Sequence, residues 1–126
     1  MTTKTNTLTL ADPEALARGA AEWLVDRAMA AGGRFAVSLS GGSTPRRLYQ
    51  LLATPAFRDR MPWPRLHLFW GDERFVPPDH PDSNFRMANE ALIKHVPIPG
   101  ANVHPIPTDG TPAGAAERYE QTLKAF

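Results

Sequence analysis

The chain has 126 residues, 42% hydrophobic and 21% charged, a balance that fits one modest folded domain over residues 1–126 and excludes disorder throughout. Fourteen basic side chains stand against thirteen acidic ones, and a net charge of +1 gives no broad field to hold nucleic acid or an anionic membrane. Cysteine is absent, which removes disulfides, thiolate metal sites and cysteine nucleophiles together and fits a reducing compartment. Residues Met1 to Thr7 carry no apolar stretch of signal-peptide length, and no later stretch is long enough to cross a bilayer. A soluble, cytoplasmic protein is the expectation.

The elements follow in chain order. Thr7-Leu-Thr-Leu10 alternates polar and apolar residues and predicts a short edge strand. Asp12-Pro13-Glu14 reads as a helix start: an aspartate cap, proline at the first helical position and an acid in the first turn. Leu16, Ala20, Trp23, Leu24 and Ala28 follow at helical spacing and predict the buried face, and Gly32-Gly33 ends the helix. Phe35 to Leu39 reads as a buried strand. It runs straight into Ser40-Gly41-Gly42-Ser43-Thr44-Pro45, where a second helix should begin, capped by Ser43 or Thr44, with Leu48, Leu51 and Leu52 inward.

Leu66 to Trp70 predicts a second strand covered on both faces. Gly71-Asp72-Glu73-Arg74 follows it at once, and a proline-rich loop leads to a third helix from Ser83, with Phe85, Ala88 and Leu92 inward. Proline occurs thirteen times, and ten of these lie between Pro62 and Pro112, so stiff loops are expected there. Val96 to Thr111 reads as irregular. A last helix from Pro112 carries Ala116, Tyr119, Leu123 and Phe126. Trp23, Trp63 and Trp70 read as packing residues. Strands alternating with helices imply a doubly wound α/β fold with a mostly parallel sheet and right-handed crossovers. The last helix runs to the final residue without a C-terminal stop signal. With two central strands the sheet is expected to be incomplete, its uncovered edge favouring association.

Two loops carry chemistry. In Ser40 to Pro45, a helix N-terminus offers unpaired N–H groups and about half a positive charge, and two glycines let a ligand approach the backbone. Ser40, Ser43 and Thr44 add hydroxyls. An ordinary strand-to-helix turn is the plainer alternative. No lysine follows the glycines as a nucleotide-binding P-loop requires, and the dinucleotide fingerprint is absent. Position 38 is serine where a hydrolase nucleophile elbow centred on Ser40 needs glycine. The loop therefore suits a phosphomonoester such as a sugar phosphate.

The second loop also leaves the carboxyl end of a strand, where ligands bind in open α/β sheets. Arg74 can pair a phosphate bidentately or stabilise an oxyanion. Asp72 and Glu73 can orient that arginine, bind sugar hydroxyls or move protons. A plain surface ion-pair cluster is the alternative. The four histidines, at 67, 80, 95 and 104, lack metal-ligand spacing, and no metal site is expected.

Ser40-Gly-Gly-Ser-Thr-Pro45, then Leu68-Phe-Trp-Gly-Asp-Glu-Arg-Phe-Val-Pro77, then Ser83-Asn84, resembles the 6-phosphogluconolactonases along almost the whole chain. The related glucosamine-6-phosphate deaminases typically carry tyrosine where this chain has Arg74. The resemblance implies hydrolysis of 6-phospho-D-glucono-1,5-lactone in the pentose phosphate pathway, with a phosphosugar lactone as the molecular partner and no cofactor. It implies that Gly41, Gly42, Ser43 and Thr44 surround the phosphate and that Arg74 contacts the substrate's anionic groups. Arg74 and Asp72 are the catalytic candidates. The family's general base, in a Gly-His segment, is expected beyond residue 126. A sugar-phosphate-binding module without catalysis, or an amino-sugar-phosphate isomerase or deaminase, is the alternative.

Overall fold

The computed structural model describes residues 3–126. Helix α1 spans Pro13–Ala30, and its start follows from the sequence: the Asp12 carboxylate accepts from the Ala15 N–H at 2.7 Å, with proline at the head and Glu14 in the first turn. Strand β1 (Phe35–Leu39) leads into α2 (Ser43–Leu52) and a single-turn α3 (Pro55–Arg58). After a 3₁₀ turn at Trp63–Arg65 come β2 (Leu66–Trp70), α4 (Asn84–Ala91) and α5 (Pro112–Ala125). Ser83 and Thr111 cap the last two helices, accepting from the N–H groups of Arg86 and Gly114. Among the described residues no helix is long and apolar enough to cross a membrane.

β1 and β2 pair in parallel, from Phe35 opposite Leu66 to Leu39 opposite Trp70. On the other edge of β2, Val103 makes a parallel bridge to Leu68, and the His104 N–H donates to the Leu68 carbonyl at 2.9 Å. The proline-rich stretch thus contributes a rung that its composition hides. Tyr119 ties α5 to this edge: its hydroxyl accepts from the Trp70 N–H and donates to the His104 carbonyl, each at 2.9 Å.

β2 is covered as expected, with Leu66, Leu68, Phe69 and Trp70 buried. β1 is not. Only Leu39 is fully buried: Phe35 and Val37 are half-buried, Ala36 and Ser38 on the opposite face are exposed, and the second edge of β1 has no partner among the described residues. That edge lines an apolar groove of about 320 Å³ shared with Leu16, Trp23 and Leu24 of α1 and Leu48 of α2.

The groove corrects the expected face of α1. Ala17, Ala21, Val25 and Ala28 are the buried residues, whereas Trp23 is 58% exposed. Small alanines let α1 approach the core closely, and the larger residues one step around the helix are left beside open β1. Trp63 and Trp70 are core residues, as read. The α5 face is likewise offset, with Ala115 and Tyr119 buried and Leu123 exposed. No strand forms at Thr7 to Leu10. Leu8 is exposed and Leu10 lies against Gly19 of α1; alternation in so short a segment does not secure a strand partner.

Candidate functional site

The parallel register fixes where the two loops begin. Leu39 and Trp70 are opposite one another at the strand ends, and the Gly71 N–H donates to the Leu39 carbonyl at 3.0 Å. Ser40 and Gly71 therefore leave the sheet side by side, and the loops share its carboxyl end.

The first loop is held through its backbone. The Ser40 N–H donates to the Tyr49 hydroxyl, and that hydroxyl donates back to the Ser40 carbonyl, each at 2.9 Å. Burial pushes the Tyr49 phenol above its ordinary pKa of 10.0, an effect the bond to Ser40 opposes. Gly42 then takes φ 110° and ψ 170°, a conformation that L side chains rarely adopt. This glycine, rather than the expected Ser43 or Thr44, is the cap residue of α2, and no side-chain hydrogen bond caps the helix. The sharp turn starts the helix one residue earlier, so Ser43 and Thr44 fall in its first turn and are exposed. With Pro45 lacking an N–H, the donors at this end come from Ser43 and Thr44, from backbone and hydroxyl together.

Side chains hold the second loop. One Glu73 oxygen accepts from the N–H groups of Arg74 at 2.8 Å and Asn84 at 2.7 Å; the other accepts from Phe85 at 2.8 Å. Glu73 thus joins Ser83 in satisfying the N-terminus of α4. It holds Arg74 by its main chain rather than by its guanidinium, and with both oxygens engaged by backbone it does not bind sugar hydroxyls or move protons as expected. Nor does Asp72 pair with Arg74. Among the described residues the Arg74 guanidinium has no hydrogen bond or ion pair, and both side chains are exposed. The surface ion-pair alternative fails for the same reason.

Asn84 reaches from α4 to both loops. Its Nδ2 donates to the Asp72 carbonyl at 3.2 Å, while its side chain lies against Gly41. Reasoning from single residues assigned Asn84 no role, although Ser83-Asn84 is one of the motifs in the resemblance. Tyr49 carries no local signal either, since the Ser40 backbone it pins lies 9 residues away.

The histidines are engaged elsewhere. His67 Nδ1 and His104 Nε2 are 3.1 Å apart, His80 accepts from the Asp82 N–H, and His95 meets the Glu90 carbonyl. Among the described residues no three histidine, aspartate or glutamate side chains gather as a metal would need.

This loop pair can be set beside known proteins. Residues 11–126 match the family model described as glucosamine-6-phosphate isomerases/6-phosphogluconolactonase. A 6-phosphogluconolactonase of Nostoc sp. is 50% identical over 103 residues, which is 81% of this chain and 41% of that relative. The chain thus spans about two fifths of the length of that curated relative. Among solved structures, the 6-phosphogluconolactonase of Thermotoga maritima superposes with a TM-score of 0.78 at 32% identity, covering 92% of this chain and 52% of that one. That of Trypanosoma cruzi gives 0.82 at 28% identity, covering 99% and 52%. These likenesses bear out the doubly wound α/β reading.

Proposed function

The chain belongs to the glucosamine-6-phosphate isomerase/6-phosphogluconolactonase family, and from that membership we propose that its protein hydrolyses 6-phospho-D-glucono-1,5-lactone to 6-phospho-D-gluconate, a step of the pentose phosphate pathway, in the cytoplasm. One observation carries the reading to particular residues: two loops with free donors leave adjacent strand ends, at Ser40–Thr44 and at Gly71–Arg74. In this reading the substrate's phosphate sits on the N-terminus of α2, among Gly41, Gly42 and the donors of Ser43 and Thr44, with Ser40 at the rim. Arg74 supplies a planar fork to the phosphate or to the oxyanion formed at C1. Asp72, exposed beside it, takes sugar hydroxyls or moves protons.

Hydrolysis forms a bond between water oxygen and C1 and breaks the bond from C1 to the ring oxygen. One water proton ends on that ring oxygen, and the other is lost from the resulting acid. The free guanidinium supports the reading: a cation with no partner among the described residues is available to an anionic substrate at no cost in broken ion pairs there. The test is twofold. Titration with 6-phosphogluconate should saturate and compete with inorganic phosphate, and a pH-controlled assay should show lactone hydrolysis above the spontaneous rate. Binding without turnover would leave a sugar-phosphate-binding module. Absence of both would overturn the proposal.

A further inference from the structure

Gly41 and Gly42 are adjacent, yet they are glycines for different reasons. Gly42 is required by its φ of 110°; a Cβ there would meet nothing nearer than Pro45 Cδ at 3.7 Å. Gly41 has no positive φ. A Cβ on Gly41 would instead strike the Asn84 side chain, lying 2.8 Å from its Cγ and 3.2 Å from its Nδ2, with Oδ1 nearer still. Real Cβ atoms do not sit at such distances, so the Asn84 amide occupies the place a side chain on residue 41 would take.

Asn84 is fixed from the other side as well. Its N–H is held by Glu73 at 2.7 Å and its Nδ2 by the Asp72 carbonyl at 3.2 Å. One amide therefore touches the backbone of both loops. We infer that Asn84 is a strut, seated in the notch left by Gly41, that sets the spacing between the phosphate loop and the Asp72–Arg74 loop. It is a positioning residue, and the inference rests on the proposed function: a phosphosugar must span both loops at once.

The strut has a separable signature. With Arg74 placed at the C1 end of the sugar, inorganic phosphate needs only the first loop, whereas 6-phosphogluconate reaches both. Asn84→Ala should weaken 6-phosphogluconate about tenfold while leaving inorganic phosphate unchanged; general damage to the fold would weaken both. Gly41→Ala must drive the Asn84 amide out into solvent and break its bond to Asp72, with a comparable loss. In an Asn84→Ala background the notch is already empty, so adding Gly41→Ala should cost little more. Neighbours that act through one contact are non-additive in this way.

The experiment is the double-mutant cycle in the intact protein, read by titration with each ligand and by amide hydrogen exchange over residues 72–75 without ligand. Both single variants and the double should speed that exchange alike. Additive losses, or equal losses for phosphate and 6-phosphogluconate, would overturn the strut. If the unsubstituted protein binds neither ligand, the proposed function fails, and the exchange alone decides the strut: unchanged exchange in Asn84→Ala overturns it.

Discussion

The two loops at the strand ends solve one problem in opposite ways. In Ser40–Thr44 the backbone does the shaping: Gly42 makes the turn, Tyr49 pins Ser40 through its main chain, and the polar side chains stay clear. In Gly71–Arg74 one side chain does it. Glu73 gathers three backbone N–H groups, the farthest 12 residues along the sequence, and leaves Asp72 and Arg74 exposed. Comparing them shows that neighbouring charges in a motif need not share a job. Asp72, Glu73 and Arg74 are consecutive, yet the middle one is architecture and the outer two face solvent.

The sharpest break between those roles comes at Arg74. Removing one partner of a desolvated charged hydrogen bond costs about 2–5 kcal/mol, so Arg74→Ala should lower lactone kcat/KM about 30-fold or more with an unchanged melting temperature. Arg74→Lys should recover only part, since an ammonium lacks the planar fork. Equal kcat/KM in Ala and unsubstituted protein would return Arg74 to a surface role.

Glu73→Ala should do the reverse. It strips acceptors from the half-buried N–H groups at the head of α4, and a lost helix cap costs about 1–2 kcal/mol, a loss that should appear in urea denaturation. An unchanged midpoint would mean that water replaces the carboxylate without cost. Of similar size is Gly42→Ala, where an alanine forced to φ 110° and ψ 170°, a region nearly reserved to glycine, costs about 1–3 kcal/mol. It should lower stability by that amount and weaken phosphate binding.

The smallest effect lies away from both loops. The His67 and His104 rings are separated by 5.4 Å between centroids with an interplanar angle of 12°, so one nitrogen donates to the other nearly in line. Only one proton fits between them. Burial, then His104 and Arg34 nearby, pull His67 below its ordinary 6.5, and burial pulls His104 down too. Because the folded values are lower, the unfolded chain binds more protons as pH drops past 6.5. Stability should therefore be full above that pH and decline below it. Melting temperatures across the range should show a shallower acid decline in His104→Phe; an identical decline would place the acid sensitivity elsewhere.

What the sequence revealed divides along the same line. The Ser40–Thr44 turn between β1 and α2 was legible because its strand, turn and helix are contiguous, and the Asp12 cap of α1 was legible for the same reason. Glu73 was not, since its partners are the backbone N–H groups of a helix beyond a proline-rich loop. Nor was the buried face of α1. Leu16, Ala20, Trp23 and Leu24 make a fair apolar stripe, but Ala17, Ala21 and Val25 make another, and packing against the core chose the smaller residues. The rung at Val103 was concealed by the prolines around it.

The claim on which the account stands is that both strand-end loops hold one phosphosugar. Amide chemical shifts of the isotopically labelled protein test it most directly. Adding 6-phosphogluconate should move Gly42, Ser43 and Thr44 together with Asp72 and Arg74, whereas inorganic phosphate should move the first group alone. Shifts confined to the apolar groove beside β1, or to the His67–His104 pair, with both loops unmoved, would contradict it.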